Sequence, residues 1–181
     1  MRRIVVAVFV LLAACGSNGG KDPVAVPDVT GATETTNTTA PFTTTEISTP
    51  DNTKQAQLVD VQVGEHVGFV RVVFRFSDAV PGYSVRTAEP PFVQDGSGKE
   101  VTVDGNGHLA VRLIARAHDD NGKTTVPTAI AFPHTSSIRA VALLGDFEGV
   151  VNYAIGLSEP TGFKAFTLTS PPRLVVDIQS P

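Results

Sequence analysis

Four histidines, His66, His108, His118 and His134, are the side chains with the most chemistry to offer. Their separations of 42, 10 and 16 residues fit no local zinc pattern, and the chain lacks the His-Glu-x-x-His of a zincin. Glu65-His66 and His118-Asp119-Asp120 are acid–histidine neighbours, but adjacent strand residues point to opposite faces. His108 and His118 also abut turn-like segments, so the histidines are read as loop-exposed. A hydrolase would need a positioned serine, and no Gly-x-Ser-x-Gly elbow occurs, although a triad has no obligatory order. Asp119-Asp120-Asn121-Gly122 offers oxygens to calcium, yet an EF-hand needs alternating ligands and a glutamate at position twelve, which here is Ile130. That stretch reads as a turn. The expectation is a protein that is not an enzyme, with no catalytic residue, no metal and no cofactor.

The aromatic residues suggest binding instead, because flat apolar rings stack on the C–H faces of sugars. Phe69 falls on the outward parity of its strand, while Tyr83, Phe92 and Phe147 lie at strand ends or turns. Phe69 and Tyr83 are the candidate ligand contacts, with core or edge packing as the competing use of each ring.

The single cysteine stands after a short apolar run. Arg2-Arg3 precedes Ile4 to Leu12, then Ala13-Ala14-Cys15. A basic n-region, a brief h-region and small residues at a cleavage point describe a secretory signal peptide over residues 1–14. The run is too short for a membrane span, which needs roughly 20 apolar residues. Leu12-Ala13-Ala14-Cys15 resembles the bacterial lipobox, in which the cysteine receives a diacylglyceryl thioether and becomes the new N-terminus. That resemblance implies lipidation of Cys15 and a place on the outer face of the cell membrane. Stable anchoring takes two acyl chains, and a diacylglyceryl group carries both. No thiol then remains for a disulfide or a thiolate site. Removal of residues 1–14 takes away Arg2 and Arg3, leaving 12 basic against 18 acidic side chains, a net charge of −6. That sign gives no long-range attraction to nucleic acid.

From residue 15 to 54 the chain changes character. Gly19-Gly20, Pro23, Pro27, Pro41 and Pro50 stand among threonine pairs, with Phe42 and Ile47 isolated. Such a stretch cannot offset its own ordering entropy and reads as a disordered tether. As a flexible coil of about 39 residues it would average roughly 35 Å end to end, and fully extended it could reach about 130 Å. Its Thr/Pro composition fits either an O-glycosylated stalk or a bare spacer.

Residues 55–181 carry the folding signal, and 41% of the whole chain is hydrophobic. Gly68 to Phe76 alternates strictly, placing Val70, Val72, Phe74 and Phe76 on one face and Arg71 and Arg75 on the other. Period two with β-branched and aromatic residues means a half-buried strand. Leu58–Val63 reads as its partner. Further strands are expected at Tyr83–Arg86, Val101–Val103, His108–Arg116, Ile138–Leu144, Val150–Leu157, Phe163–Leu168 and Arg173–Ile178. Turn chemistry separates them, as in Pro81-Gly82, Asp95-Gly96, Asp104-Gly105 and Glu159-Pro160-Thr161-Gly162. Thr124–Ser137 is irregular, a long loop or a short helix. The pattern implies one all-β domain of antiparallel strands, a sandwich or barrel. In the last strand Leu174, Val176 and Ile178 face the core and Arg173, Val175 and Asp177 face outward. Asp177 could pair with Arg71 or Arg75, but a solvated strand face is the favoured reading of these charges.

Gly68-Phe69, Arg71-Val72-Val73-Phe74, Pro81-Gly82-Tyr83, Phe147-Glu148-Gly149-Val150, Ile155-Gly156-Leu157 and Pro172-Arg173-Leu174-Val175-Val176-Asp177-Ile178 together resemble the AMIN-like domain, found in actinobacterial lipoproteins and related to the wider AMIN group. The resemblance spans nearly all of residues 57–180 and implies a β-sandwich. AMIN domains bring amidases and secretins to their places in the envelope by binding peptidoglycan. No amidase or secretin domain follows residue 181 in this sequence. The expected function is therefore a lipid-anchored, extracytoplasmic, non-catalytic module that engages peptidoglycan or an envelope protein. A small-ligand carrier using the sandwich interior and a cryptic envelope hydrolase are the alternatives.

Overall fold

The computed structural model describes residues 40–51, 55–127, 130 and 135–181. The signal peptide read over 1–14, Cys15, residues 16–39 of the tether and His134 lie outside the described residues.

Two five-stranded sheets pack face to face. The first has the order β1 (Ile47–Ser48), β4 (Tyr83–Ala88), β7 (Gly107–Leu113), β10 (Val150–Leu157), β9 (Ile138–Phe147). The second runs β11 (Phe163–Thr169), β12 (Pro172–Gln179), β3 (Phe69–Phe76), β2 (Ala56–His66), β8 (Ala115–Arg116). A small ribbon of β5 (Phe92–Val93) and β6 (Glu100–Val101) completes the described strands. All pairings are antiparallel except β2 with β8.

The alternation in β3 is what closes the sandwich. Val70, Val72 and Phe74 are fully buried and meet Val85, Leu109, Val111, Tyr153 and Ile155 from the facing sheet. Phe74 and Tyr153 touch edge to face at 5.3 Å between ring centroids, a favoured aromatic geometry. Two-residue turns set the registers. Glu148 and Gly149 both have positive φ, as a type I′ turn between β9 and β10 requires.

The stretch His108–Arg116, read as one strand, is two. β7 ends at Leu113 in the first sheet, and β8 crosses to pair with β2 in the second. A strand that switches sheets makes a corner of the sandwich. The described part of Thr124–Ser137 contains no helix; Thr124 forms a single bridge with His118.

The tether reading needs correcting at its end. Residues 42–51 dock on the sandwich through backbone pairing, with Ile47 packed against the main core. β1 pairs Ile47 with Val85 of β4, Thr43 bridges Phe163, and the Thr49 amide donates to the Tyr83 carbonyl at 2.9 Å. Short apolar spacing gave no hint of this, because both partner strands are distant in sequence.

Residues 89–106 lie across the outer face of the first sheet. Their Phe92 and Val103 form a second small core with Leu144 and Ala154, flanked by Ala140 and Ala142. The sheet can be covered this closely because its outer positions are small. A Cβ on Gly156 would overlap the Asp104 carbonyl, and one on Gly145 would overlap the Asp95 carboxylate.

Candidate functional site

The outer face of the second sheet carries the densest polar and aromatic group. Lys164 on β11, Asp177 on β12 and Arg71 on β3 occupy one cross-strand row. Arg71 grips the carboxylate with both arms, Nε to Oδ1 at 2.7 Å and Nη2 to Oδ2 at 3.0 Å. Lys164 Nζ lies 3.7 Å from Oδ2. Asp177 is fully buried, which overturns the solvated-face reading. The reason is reach: long basic side chains and the rings beside them roof a carboxylate too short to escape. Exposed Arg75 pairs with half-buried Asp60 instead, at 3.2 Å.

Phe69 stands next to this row. The exposed His66 ring stacks on it at 4.8 Å with planes 10° apart. The Arg71 guanidinium lies 5.2 Å and Lys164 Nζ 5.8 Å from its centroid, both within cation–π range. Lys164 also sits 5.1 Å from the Phe42 ring, so the docked N-terminal segment contributes the far edge of the platform. Phe166 and Val175 form a buried apolar floor under Arg71. The strand registers place Lys164, Arg71, Arg75 and Arg173 on this face against Asp60 and Asp177, a local surplus of two positive charges. Burial, then the neighbouring Arg71 and Arg75, lower the Arg173 pKa.

The other candidate, Tyr83, does not join Phe69. It opens β4, packs within the main core and is 5% exposed, and burial pushes its phenol pKa up. Its ring is a packing element rather than an offered surface. The histidines are likewise dispersed. His108 is buried, not loop-exposed: its Nε2 lies 3.0 Å from the Val103 carbonyl and its ring tilts against Phe92. The covering excursion of residues 89–106, invisible to strand parity, is what buries it. His118 pairs through Nδ1 with Asp146, whose same oxygen accepts the Ala117 amide at 2.9 Å. Asp119 is a turn residue, its Oδ1 accepting the Asn121 and Lys123 amides at 2.9 Å each. The Lys123 amide, with that of Asn121, holds its carboxyl below the usual range. Among the described residues no group of three or more His, Cys, Asp or Glu is placed to hold a metal ion.

That Lys164, His66 and Phe42 gather around Phe69 was not foreseen in the sequence, where His66 was read only as a loop-exposed histidine. Two had a usable signal. His66 faces Phe69 across the two-residue turn Val67-Gly68, and Lys164 faces Asp177 across the turn at Ser170-Pro171. Phe42 had none.

The model of the AMIN-like domain family matches residues 56–180, from the first residue of β2 to the end of β12. The chain belongs to that family. The AMIN-like domain thus contains both sheets apart from β1, and it includes the whole platform except Phe42. No curated protein and no solved structure matches the chain.

Proposed function

We propose that this AMIN-like protein is a non-catalytic binding module of the cell envelope, held at the outer face of the membrane by a diacylglyceryl group on Cys15. It engages peptidoglycan, or a protein bound to it, through the platform of His66, Phe69 and Lys164. Family membership supports an extracytoplasmic envelope role. The observation that carries the reading is the exposed His66–Phe69 stack beside a basic surplus, on a chain whose overall charge is negative. A flat ring pair suits a sugar face, and the cations suit carboxylates carried by a wall polymer.

The carrier alternative is disfavoured because Phe74, Tyr153, Leu109 and Ile155 fill the space between the sheets. The hydrolase alternative rests on His118 and Asp146. Among the described residues no hydroxyl hydrogen-bonds to the His118 ring, so no observation favours that reading over binding.

Co-sedimentation of the purified chain with isolated sacculi tests the proposal, with repeats at high salt and after muramidase digestion. Pelleting that disappears on digestion and weakens about tenfold in His66→Ala or Phe69→Ala is the expected result, the scale of losing one good stacking contact. A chain that stays in the supernatant, or variants that pellet like the parent, would overturn wall binding through this face.

A further inference from the structure

A second site lies on the opposite side of the molecule. The excursion of residues 89–106 covers only part of the first sheet's outer face, leaving a cleft of about 350 Å³ between its Pro91–Asp95 edge and strands β4, β7 and β10. Ser84, Ala88 and Ala110 give it a low floor. Its two walls carry opposite charge. Arg86 and Arg112 rise from the sheet, while Asp95 and Glu89 belong to the excursion.

The basic wall is available. Arg86 is exposed, and among the described residues its side chain donates to the carbonyl of its own neighbour Thr87 at 3.3 Å. Arg112 pairs with Asp51 at 3.1 Å, but the side chains are 42% and 60% exposed, a pairing of small worth that a ligand carboxylate can replace. The cross-strand register sets Ser84 against Arg112 and Arg86 against Ala110, so the two guanidinium groups stand diagonally around the Ala110 floor.

The acidic wall is preorganised. The Asp95 amide donates to the Leu144 carbonyl at 3.0 Å, and Asp95 Oδ2 accepts Asn152 Nδ2 at 2.7 Å. Gly145 is the residue that lets this carboxylate sit flush on the sheet. Among the described residues only Oδ2 of Asp95 accepts a side-chain hydrogen bond, from Asn152.

The geometry points to a ligand-binding cleft for a short peptide bearing a free carboxylate at one end and an amino group at the other. The carboxylate meets Arg86 and Arg112, where guanidinium–carboxylate bonding is strong and directional. The amino group meets Asp95, and small side chains lie over Ala88 and Ala110. The volume is within the usual span of small-ligand sites. This cleft and the His66–Phe69 platform are on different sheets, so either can fail without the other.

An NMR titration of the 15N-labelled full chain tests the cleft with four probes: dialanine, its N-acetyl form, its C-terminal amide, and acetate. Dialanine is expected to shift the amides around Arg86, Asp95, Arg112 and Asn152, with the N-acetyl form weaker and the C-terminal amide silent. Arg86→Gln with Arg112→Gln should weaken dialanine at least tenfold while leaving distant resonances unchanged, which shows that the fold persists. Asp95→Asn should erase the preference for dialanine over its N-acetyl form. The inference is overturned if dialanine shifts nothing, if the C-terminal amide shifts the same resonances, or if acetate alone does so equally well.

Discussion

Asp177 and Arg71 lie opposite each other in the β12–β3 register and share two charge-assisted hydrogen bonds, although Asp177 has no access to solvent. Lys164 joins from the other side. A buried carboxylate held between two cations is costly to disturb, because removing one partner strands the others' charge.

Asp177→Asn keeps the shape and removes the charge, so Arg71 and Lys164 are left facing each other. We expect a loss of about 3 kcal/mol, the low end for a broken buried pair, since Arg71 keeps partial contact with water. Thermal and urea melts measure it. A change near zero would mean that the three side chains contribute no more than a surface pair.

Gly156→Ala should destabilise by about 2 kcal/mol, as overpacking against rigid structure does. The obstructing atom there is the backbone carbonyl of Asp104, which cannot swing away. Gly145→Ala should cost less, because its obstacle is the Asp95 side chain. That variant should instead lose the Asp95–Asn152 hydrogen bond and, with it, dialanine binding in the cleft. Paired melts and titrations separate the two outcomes.

Tyr153 is fully buried and its hydroxyl has no hydrogen-bond partner among the described residues. Burial first, and then the Asp146 charge, raise its pKa above the ordinary tyrosine value. The folded state therefore holds the phenol proton more tightly than the unfolded state does. Its contribution to stability is complete below the unfolded value of about 10 and is lost as pH rises through the raised folded value. Tyr153→Phe should shift alkaline unfolding to higher pH, while changing stability at neutral pH by no more than about 1 kcal/mol. Circular dichroism across an alkaline pH series reads both effects.

The docked N-terminal segment makes a clear prediction for truncation. A chain beginning at residue 55 loses the Ile47–Val85 pairing, both Thr43–Phe163 backbone hydrogen bonds and the Thr49–Tyr83 hydrogen bonds. Compared with a chain beginning at residue 40, it should be less stable by about 2 kcal/mol, a few net hydrogen bonds' worth. It should also bind sacculi more weakly, having lost Phe42. Equal melting temperatures would mean that residues 40–51 add nothing to the fold.

Much of the second sheet was legible from local pattern. Period two in Phe69–Phe76 and Pro172–Gln179 assigned Val70, Phe74, Leu174 and Ile178 to the core, and the glycine turns marked where hairpins close. The same parity placed Phe69 on the outer face of that sheet. Parity says which side of a strand a residue occupies, but nothing about what lies on that side. It left Asp177 read as solvated and His108 as loop-exposed, because parity does not register the side chains or the 89–106 excursion that cover them.

By itself, the sequence determined the all-β class, the strand faces, the turns and the family resemblance, since these follow from the two-residue repeat of an extended chain and the glycine conformations that hairpins need. Tertiary structure alone decided which arginine Asp177 chose, that Lys164 and Phe42 complete the Phe69 platform, that His108 is roofed, and that a two-signed cleft opens beside residues 89–106. Those outcomes depend on cross-strand register and on one segment folding over another. Both are settled by long-range packing, where the free energy of a contact has no local signature in the chain.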